Sequence, residues 1–357
     1  MTADSSTGFA TRSRGAMLPP DAGRETVARN WRAAVARYQK ADTRRALTQI
    51  ATTLLPLAGT LYLMYRSLAW SYWITLALAI PAAGFLVRTF IIMHDCGHGS
   101  FLPSQRYNNL VGYITGVITF TPYSEWRHEH AIHHATAGDL DRRGHGDIET
   151  LTVDEYLALS SWEKFKYRLY RNPLVLLGLG PLYMMFAQRV PGRYRSSGAP
   201  KTASVWTTNF SIALVVTVLA LAIGIQSVLW VYLPAAYISA SAGVYLFFVQ
   251  HQYDSAYWER HAKWDYTTAA VEGSSYFKLP KVLQWFTGNI GLHHVHHLAP
   301  RVPNYNLQRA HDENPLFTSA SVITIAQSVK CLRLALWDEQ HKRLVPFSAL
   351  RSLQRAA

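Results

Sequence analysis

The sequence predicts an all-α integral membrane protein, with four transmembrane helices in two hairpins and a cytoplasmic helical cap carrying a metal site. Three observations carry that reading: long uncharged stretches, an uneven placement of basic residues, and three clusters of histidine. Residues 46 to 65, between Arg45 and Arg66, contain no Asp, Glu, Lys or Arg, and neither do 67 to 87. From Thr202 to Tyr253 formal charge is again absent. A spanning helix needs about 20 apolar residues. The first two stretches therefore hold one crossing each and the third holds two, at about 46–65, 69–92, 205–223 and 228–250.

Charge sets the expected orientation. The net charge is +13, and residues 1 to 45 carry nine Lys/Arg against four Asp/Glu. The turns around Ser67–Tyr72 and "GIQS" (224–227) are nearly bare of charge. Basic loops favour the cytoplasmic side, so both termini and the large loops are expected there, in a bacterial inner membrane. The apolar "NPLVLLGLGPLYMMFAQ" (172–188) is broken by Gly and Pro. A crossing there would put Arg189, Arg193, Arg195 and Lys201 outside and separate the histidines onto opposite faces. It is therefore read as interfacial or re-entrant, and "NNLVGYITGVITFTPY" (108–123) likewise stays at the surface. No basic stripe interleaved with base-stacking aromatics is present, so nucleic acid is not an expected partner.

The remaining segments complete the domain map. Residues 1–22 are polar and rich in Ser, Gly and Pro, and read as a disordered tail. Residues 23–45 place Val27, Trp31, Val35 and Tyr38 at helical spacing and read as an amphipathic interfacial helix. The first apolar run starts near Ala46, so no cleavable leader is expected. Residues 46–320 form the membrane domain and 321–357 a cytoplasmic tail. Cys96 and Cys331 offer no disulfide framework, and Cys96 is read as packing.

The histidines form a constellation. "HDCGH" supplies His94 and His98 just after the second crossing, "HAIHH" supplies His130, His133 and His134, and "HHVHH" supplies His293, His296 and His297 after the fourth. On the expected topology all three lie on one face. Spacings of three and four residues put rings on one side of a helix. Crowded imidazoles are costly when protonated and costly when left unpaired. One ion closes with four ligands in a structural site, so eight imidazoles suit two ions at close range. Imidazole serves Zn, Cu, Fe and Ni alike. The zinc protease pattern HExxH is absent, because Ile132 stands four after His128. His128 and His294 lie off the motif positions and are left out, and His145, His261, His311 and His341 read as isolated surface residues. Asp95, Glu129, Asp139, Asp141 and Asp147 could orient imidazoles, and Asn289 could hold a metal-bound water. Tyr123, Trp126, Trp285 and Phe286 could wall a substrate tunnel.

"HDCGHGSF", "WRHEHAIHH" with "GDLDRRGHGDIETLT", and "NIGLHHVHHL" resemble the three histidine boxes of the membrane fatty acid desaturases. The likeness runs from about residue 40 to 320 and is closest to the acyl-lipid, Δ12 or ω-6 type. It implies a centre of two Fe ions that uses O2 to insert a cis double bond into an acyl chain. By the same resemblance a ninth ligand is expected at the end of the fourth crossing, where His251 stands. No other catalytic residue is expected beyond the ligands. An unactivated methylene has no acidic proton, so such chemistry belongs to the cofactor. An acyl lipid is the implied substrate, with electrons from a separate ferredoxin or cytochrome b5-like donor. Hydroxylation or ketolation of carotenoid, sphingolipid or alkane substrates is the alternative within the same chemistry. A zinc-binding transporter or receptor fits less well, since transporters place ligands near mid-bilayer and 204–250 carries none.

Overall fold

The structure is a computed structural model and describes residues 31–192 and 200–352. The tail read over 1–22, the first part of the amphipathic helix, Arg193, Arg195 and the last five residues lie outside the described residues. Helices α1 (Thr43–Ser67) and α2 (Tyr72–Gly97) are joined by residues 68–71 and pack against each other. Asp42 starts α1, its carboxylate accepting the Arg45 backbone N–H at 3.0 Å, the usual way to satisfy an orphan donor at a helix start. Two shorter helices follow, α3 (Gln105–Ile118) and α4 (Tyr123–Thr136). Then come α5 (Pro200–Ile223) and α6 (Ile225–His251), also in contact. Gly224 breaks the chain between them at φ 82°, a conformation glycine takes without steric penalty. Three short helices complete the parts used below: α7 (Tyr266–Glu272), α8 (His293–Leu298) and α9 (Asn304–Asp312).

Among the described residues, four helices are long and apolar enough to cross a membrane: Thr43–Ser67, Tyr72–Gly97, Thr202–Ile223 and Ile225–His251. They cover the three uncharged stretches, with two of them in the third. The 172–188 segment instead forms two short helices, Pro173–Gly178 and Gly180–Ala187. Helix α2 is the axis of the bundle. It touches α1, α3, α4 and α6, and 56% of its most apolar window is buried against 6% for α5. A helix facing other helices on several sides has little left for lipid, so α2 holds a fixed position and can place a site accurately.

The fold is mostly helical, with small sheets that the all-α reading did not include. Strands β1 (Leu151–Thr152), β4 (Leu334–Asp338) and β5 (Arg343–Pro346) make one sheet; β2 (Tyr276–Lys278) and β3 (Val322–Thr324) pair in parallel as another. The stretch read as a C-terminal tail is therefore folded. Trp337 and Leu344 are buried with Leu140, Tyr253 and Trp258, and the Leu344 N–H donates to the Asp254 carbonyl at 2.9 Å. Buried Arg171 ties this sheet to the end of α6, donating to Gln252 Oε1 at 2.7 Å and to the Leu334 carbonyl at 2.8 Å. Trp31, Val35 and Tyr38, read as facing a membrane surface, are buried in a core shared with Leu292, Val295 and Leu298.

Trp337 anchors the C-terminal sheet under the histidine-bearing region. Trp337→Ala is expected to cost about 3–5 kcal/mol, the usual range for a buried aromatic. This would appear as a clear fall in the thermal midpoint of the detergent-solubilised protein. A midpoint within a degree of wild type would show that the sheet does not support the core.

Candidate metal centre

The histidines converge because three separate devices aim them inward. Helix α2 ends with His94 in its last turn and His98 as its C-cap. On α4, His130, His133 and His134 follow one another at three- and four-residue spacing, which keeps their rings on one face. The third group needs a sharper approach. The chain leaves the helix Lys281–Phe286 through Gly288 and Asn289, both at positive φ. It then runs so close to β2 that a Cβ on Gly291 would lie 2.4 Å from the Phe277 carbonyl oxygen. Only a glycine fits that approach. The Phe277 N–H donates back to the Gly291 carbonyl at 2.7 Å, and α8 starts two residues later with all of His293–Leu298 buried.

The imidazoles gather as two adjoining groups. His94, His98, His130, His134 and His296 offer ligand nitrogens that all lie within 4.8 Å of one another, and His133, His251 and His297 do the same. His293 joins the second group, its Nε2 standing 3.0 Å from His251 Nε2. The groups touch where the His134 and His297 rings stack at 4.2 Å. All nine predicted ligand histidines are therefore in one place, including His251 at the end of α6.

The donor set fits metal ions. His296 Nε2 lies 3.0 Å from His134 Nε2, which lies 3.2 Å from His130 Nε2. Metal–imidazole bonds are about 2.0–2.1 Å long, so nitrogens this close could share one ion. The Nε2 atoms of His98, His133 and His297 are buried without a hydrogen-bond partner among the described residues. Burial holds the imidazoles of His98, His130, His134, His293, His296 and His297 well below their usual pKa, with repulsion among neighbouring rings adding to it. They are neutral near pH 7, the state in which imidazole ligates. Buried nitrogens without partners are expensive, and a metal bond is what this chemistry offers them.

Outer partners fix the rings. His94 Nδ1 lies 3.0 Å from Asp95 Oδ1, and Asp95 Oδ2 accepts from the Asn304 backbone N–H at 2.6 Å and from its side chain at 2.8 Å. His133 Nδ1 lies 2.6 Å from Asp147 Oδ1, and His251 Nδ1 lies 3.2 Å from the Gly273 carbonyl. A nitrogen that donates outward leaves Nε2 as the ligand atom. Asp95 and Asp147 thus stand against the rings of His94 and His133. Other acids do not: Asp139 accepts from Arg142 and the His261 ring, and Asp141 from Arg260. Glu129 lies 3.6 Å from His145 Nδ1. The Asn289 side-chain amide donates to the Asn304 carbonyl at 3.4 Å.

His294 is buried but points away from the centre, its Nε2 3.1 Å from His311 Nδ1, so His311 is not isolated. His261 and His341, exposed as expected, pair with Asp139 and Asp338. Trp126 stacks on His130 at 4.4 Å and walls the site, while the Tyr123 hydroxyl donates to the Cys96 carbonyl at 2.8 Å. Trp285 and Phe286 lie farther off, edge-on to Phe85 of α2. Sequence reasoning missed Asn304 and the Gly273 carbonyl, which no local pattern marks.

Such a bundle, with its buried imidazoles, defines a membrane protein built to bind metal. Comparison with known proteins makes this specific. The fatty acid desaturase family matches residues 67–325. A fatty acid desaturase of Bacillus subtilis is 47% identical over 321 residues, covering 89% of this chain and 90% of its own. The sn-1 acyl-lipid omega-3 desaturase (ferredoxin) of Synechocystis is 30% identical over 240 residues, 62% of each chain. The acyl-lipid omega-3 desaturase (cytochrome b5) of Arabidopsis thaliana is 28% identical over 239 residues, 61% of this chain and 58% of its own. This chain belongs to the fatty acid desaturase family and is an oxidoreductase of lipid metabolism.

Asp95→Asn and Asp147→Asn keep the shape of the partner but weaken its grip on the ring proton. Each is expected to lower metal affinity by about 10–100-fold, read as metal retained per chain after dialysis against a graded chelator. Retention equal to wild type in both variants would remove these acids from the account.

Proposed function

We propose that the protein is an O2-dependent di-iron desaturase that inserts a cis double bond into the acyl chain of a membrane lipid. The carrying observation is the division of nine imidazoles, seven of them buried, into two adjoining groups. One iron would be held by His94, His98, His130, His134 and His296, and the other by His133, His251, His293 and His297. Iron is favoured over the other imidazole-binding metals because the family's reaction is a C–H oxidation, which zinc cannot perform. Bound iron supplies the oxidising power: one O2, two electrons and two protons take up the two hydrogens of adjacent methylenes and leave as two waters.

The chain's own part is positioning and exclusion. Asp95, Asp147 and the Gly273 carbonyl hold the tautomers of His94, His133 and His251. Trp126 covers His130 on the bundle side, where an acyl chain would lie in place of water. We place the histidines on the cytoplasmic side, with α1–α2 and α5–α6 as two hairpins under a helical cap and both termini inside. The membrane domain would then span 46–320. Ligand groups at the ends of α2 and α6 support this, as does the bare turn at Gly224. Electrons would come from a separate carrier. Relatives are named for ferredoxin and for cytochrome b5, and the net charge of +13 suits an acidic carrier.

Two outcomes are expected. Expressed in a host that makes only saturated and monounsaturated acids, the wild type should yield a new double bond by gas chromatography–mass spectrometry, and His296→Ala none. A new product with His296→Ala would contradict the ligand assignment. With an acidic ferredoxin, electron transfer should slow as salt rises from low to physiological strength. A rate independent of salt would contradict the charge-guided encounter.

A further inference from the structure

Outside the metal centre the structure contains a second site. A groove of about 530 Å³ lies between the start of α1, α2 and the segment before α8. Its deepest charge is Arg88 of α2, only 8% exposed although it belongs to a membrane-crossing helix. The Arg88 guanidinium lies 4.0 Å over the Trp285 ring and donates to Thr53 Oγ1 at 3.2 Å and to the Trp285 carbonyl. No carboxylate pairs with it among the described residues. Beside it Gln49 is 4% exposed, and its Nε2 is buried without a hydrogen-bond partner among the described residues. Arg44 and Arg45 line the rim; the one acid there, Asp42, caps α1 through the Arg45 backbone N–H. A buried cation in a crossing helix is costly and marks a partner. Arg45 is engaged by the Asn306 side chain and the Tyr305 carbonyl, each at 2.6 Å. Arg88, Arg44 and the free Gln49 amide are therefore the groups that call for an anion with several acceptor oxygens.

We propose that this groove seats the phosphate of a membrane phospholipid whose acyl chain is the substrate, an inference that rests on the acyl-lipid reading given above. Arg44, Thr48 and Thr52 follow at four-residue spacing on one exposed face of α1, so the groove runs down a helix that meets lipid. Thr48 and Thr52 belong to a helix long and apolar enough to cross a membrane, a position that a lipid reaches more readily than a water-soluble acyl carrier. Arg88 stands six residues before His94 on the same helix, about 9 Å along its axis. The head group and the oxidising centre are thus fixed to one rigid element.

The test is native mass spectrometry of the purified full chain with added phosphatidylglycerol, a neutral glycolipid of the same acyl chains, and palmitoyl-CoA. Wild type is expected to retain phosphatidylglycerol about tenfold better than the glycolipid. Arg88→Gln and Gln49→Leu should each remove most of that preference. Arg44→Gln, at an exposed position that does not disturb folding, should lower it severalfold. Equal retention of the glycolipid, displacement of phospholipid by palmitoyl-CoA, or unchanged preference in both arginine variants would overturn the proposal. Because the readout is bound lipid, it stays interpretable even if no desaturated product is found.

Discussion

Everything in this protein answers to the cost of gathering nine imidazoles side by side, most of them buried. Each ring brings two polar nitrogens out of water, and neighbouring rings cannot share protons without repulsion. Hydrogen bonds to Asp95, Asp147 and Gly273 satisfy only the outward nitrogens of three of them. The inward nitrogens of His98, His133 and His297 have no such partner among the described residues. Metal ions resolve that debt, and the bundle exists to hold the rings ready. Helix α2 is enclosed on several sides, Gly291 lets the third group come in under β2, and the C-terminal sheet closes over the end of α6.

The long apolar helices and the histidine clusters were legible in the sequence because both are local signals. A stretch of 20 residues without charge needs no partner to be recognised, and HxxHH places its rings by helical geometry alone. What was not legible depends on contacts between distant residues. Asn304 reaches Asp95 across 209 positions, and β1 pairs with β4 through Leu151 and Leu336. Strands this short carry too little alternation to be seen, so the last segment read as a tail. Acids farther along the chain from the histidines were poor guides as well. Asp139 and Asp147 belong to one loop, yet only Asp147 turns inward to His133, while Asp139 is held by Arg142 and His261. Chain direction through Gly144 and Gly146, both at positive φ, decides between them.

Two buried charge problems thus stand on one helix. At the end of α2 the histidines gather as a donor set suited to metal; partway along it Arg88 is eased by the Trp285 ring and carbonyl but meets no carboxylate among the described residues. A helix fixed on several sides is suited to both, since a shift between head group and metal would move the acyl chain relative to the oxidant. The two sites would then act as one ruler. Lipid-facing α5, by contrast, is buried over only 6% of its most apolar window and is free to serve as an anchor.

The division of the histidines into two metal-binding groups is the claim on which the account rests. Metal content per chain, measured by elemental mass spectrometry together with Mössbauer spectroscopy on protein grown with enriched iron, tests it most directly. The account predicts two irons for each chain, coupled to one another because the groups touch at His134 and His297. A single iron per chain, or zinc in its place, would contradict it.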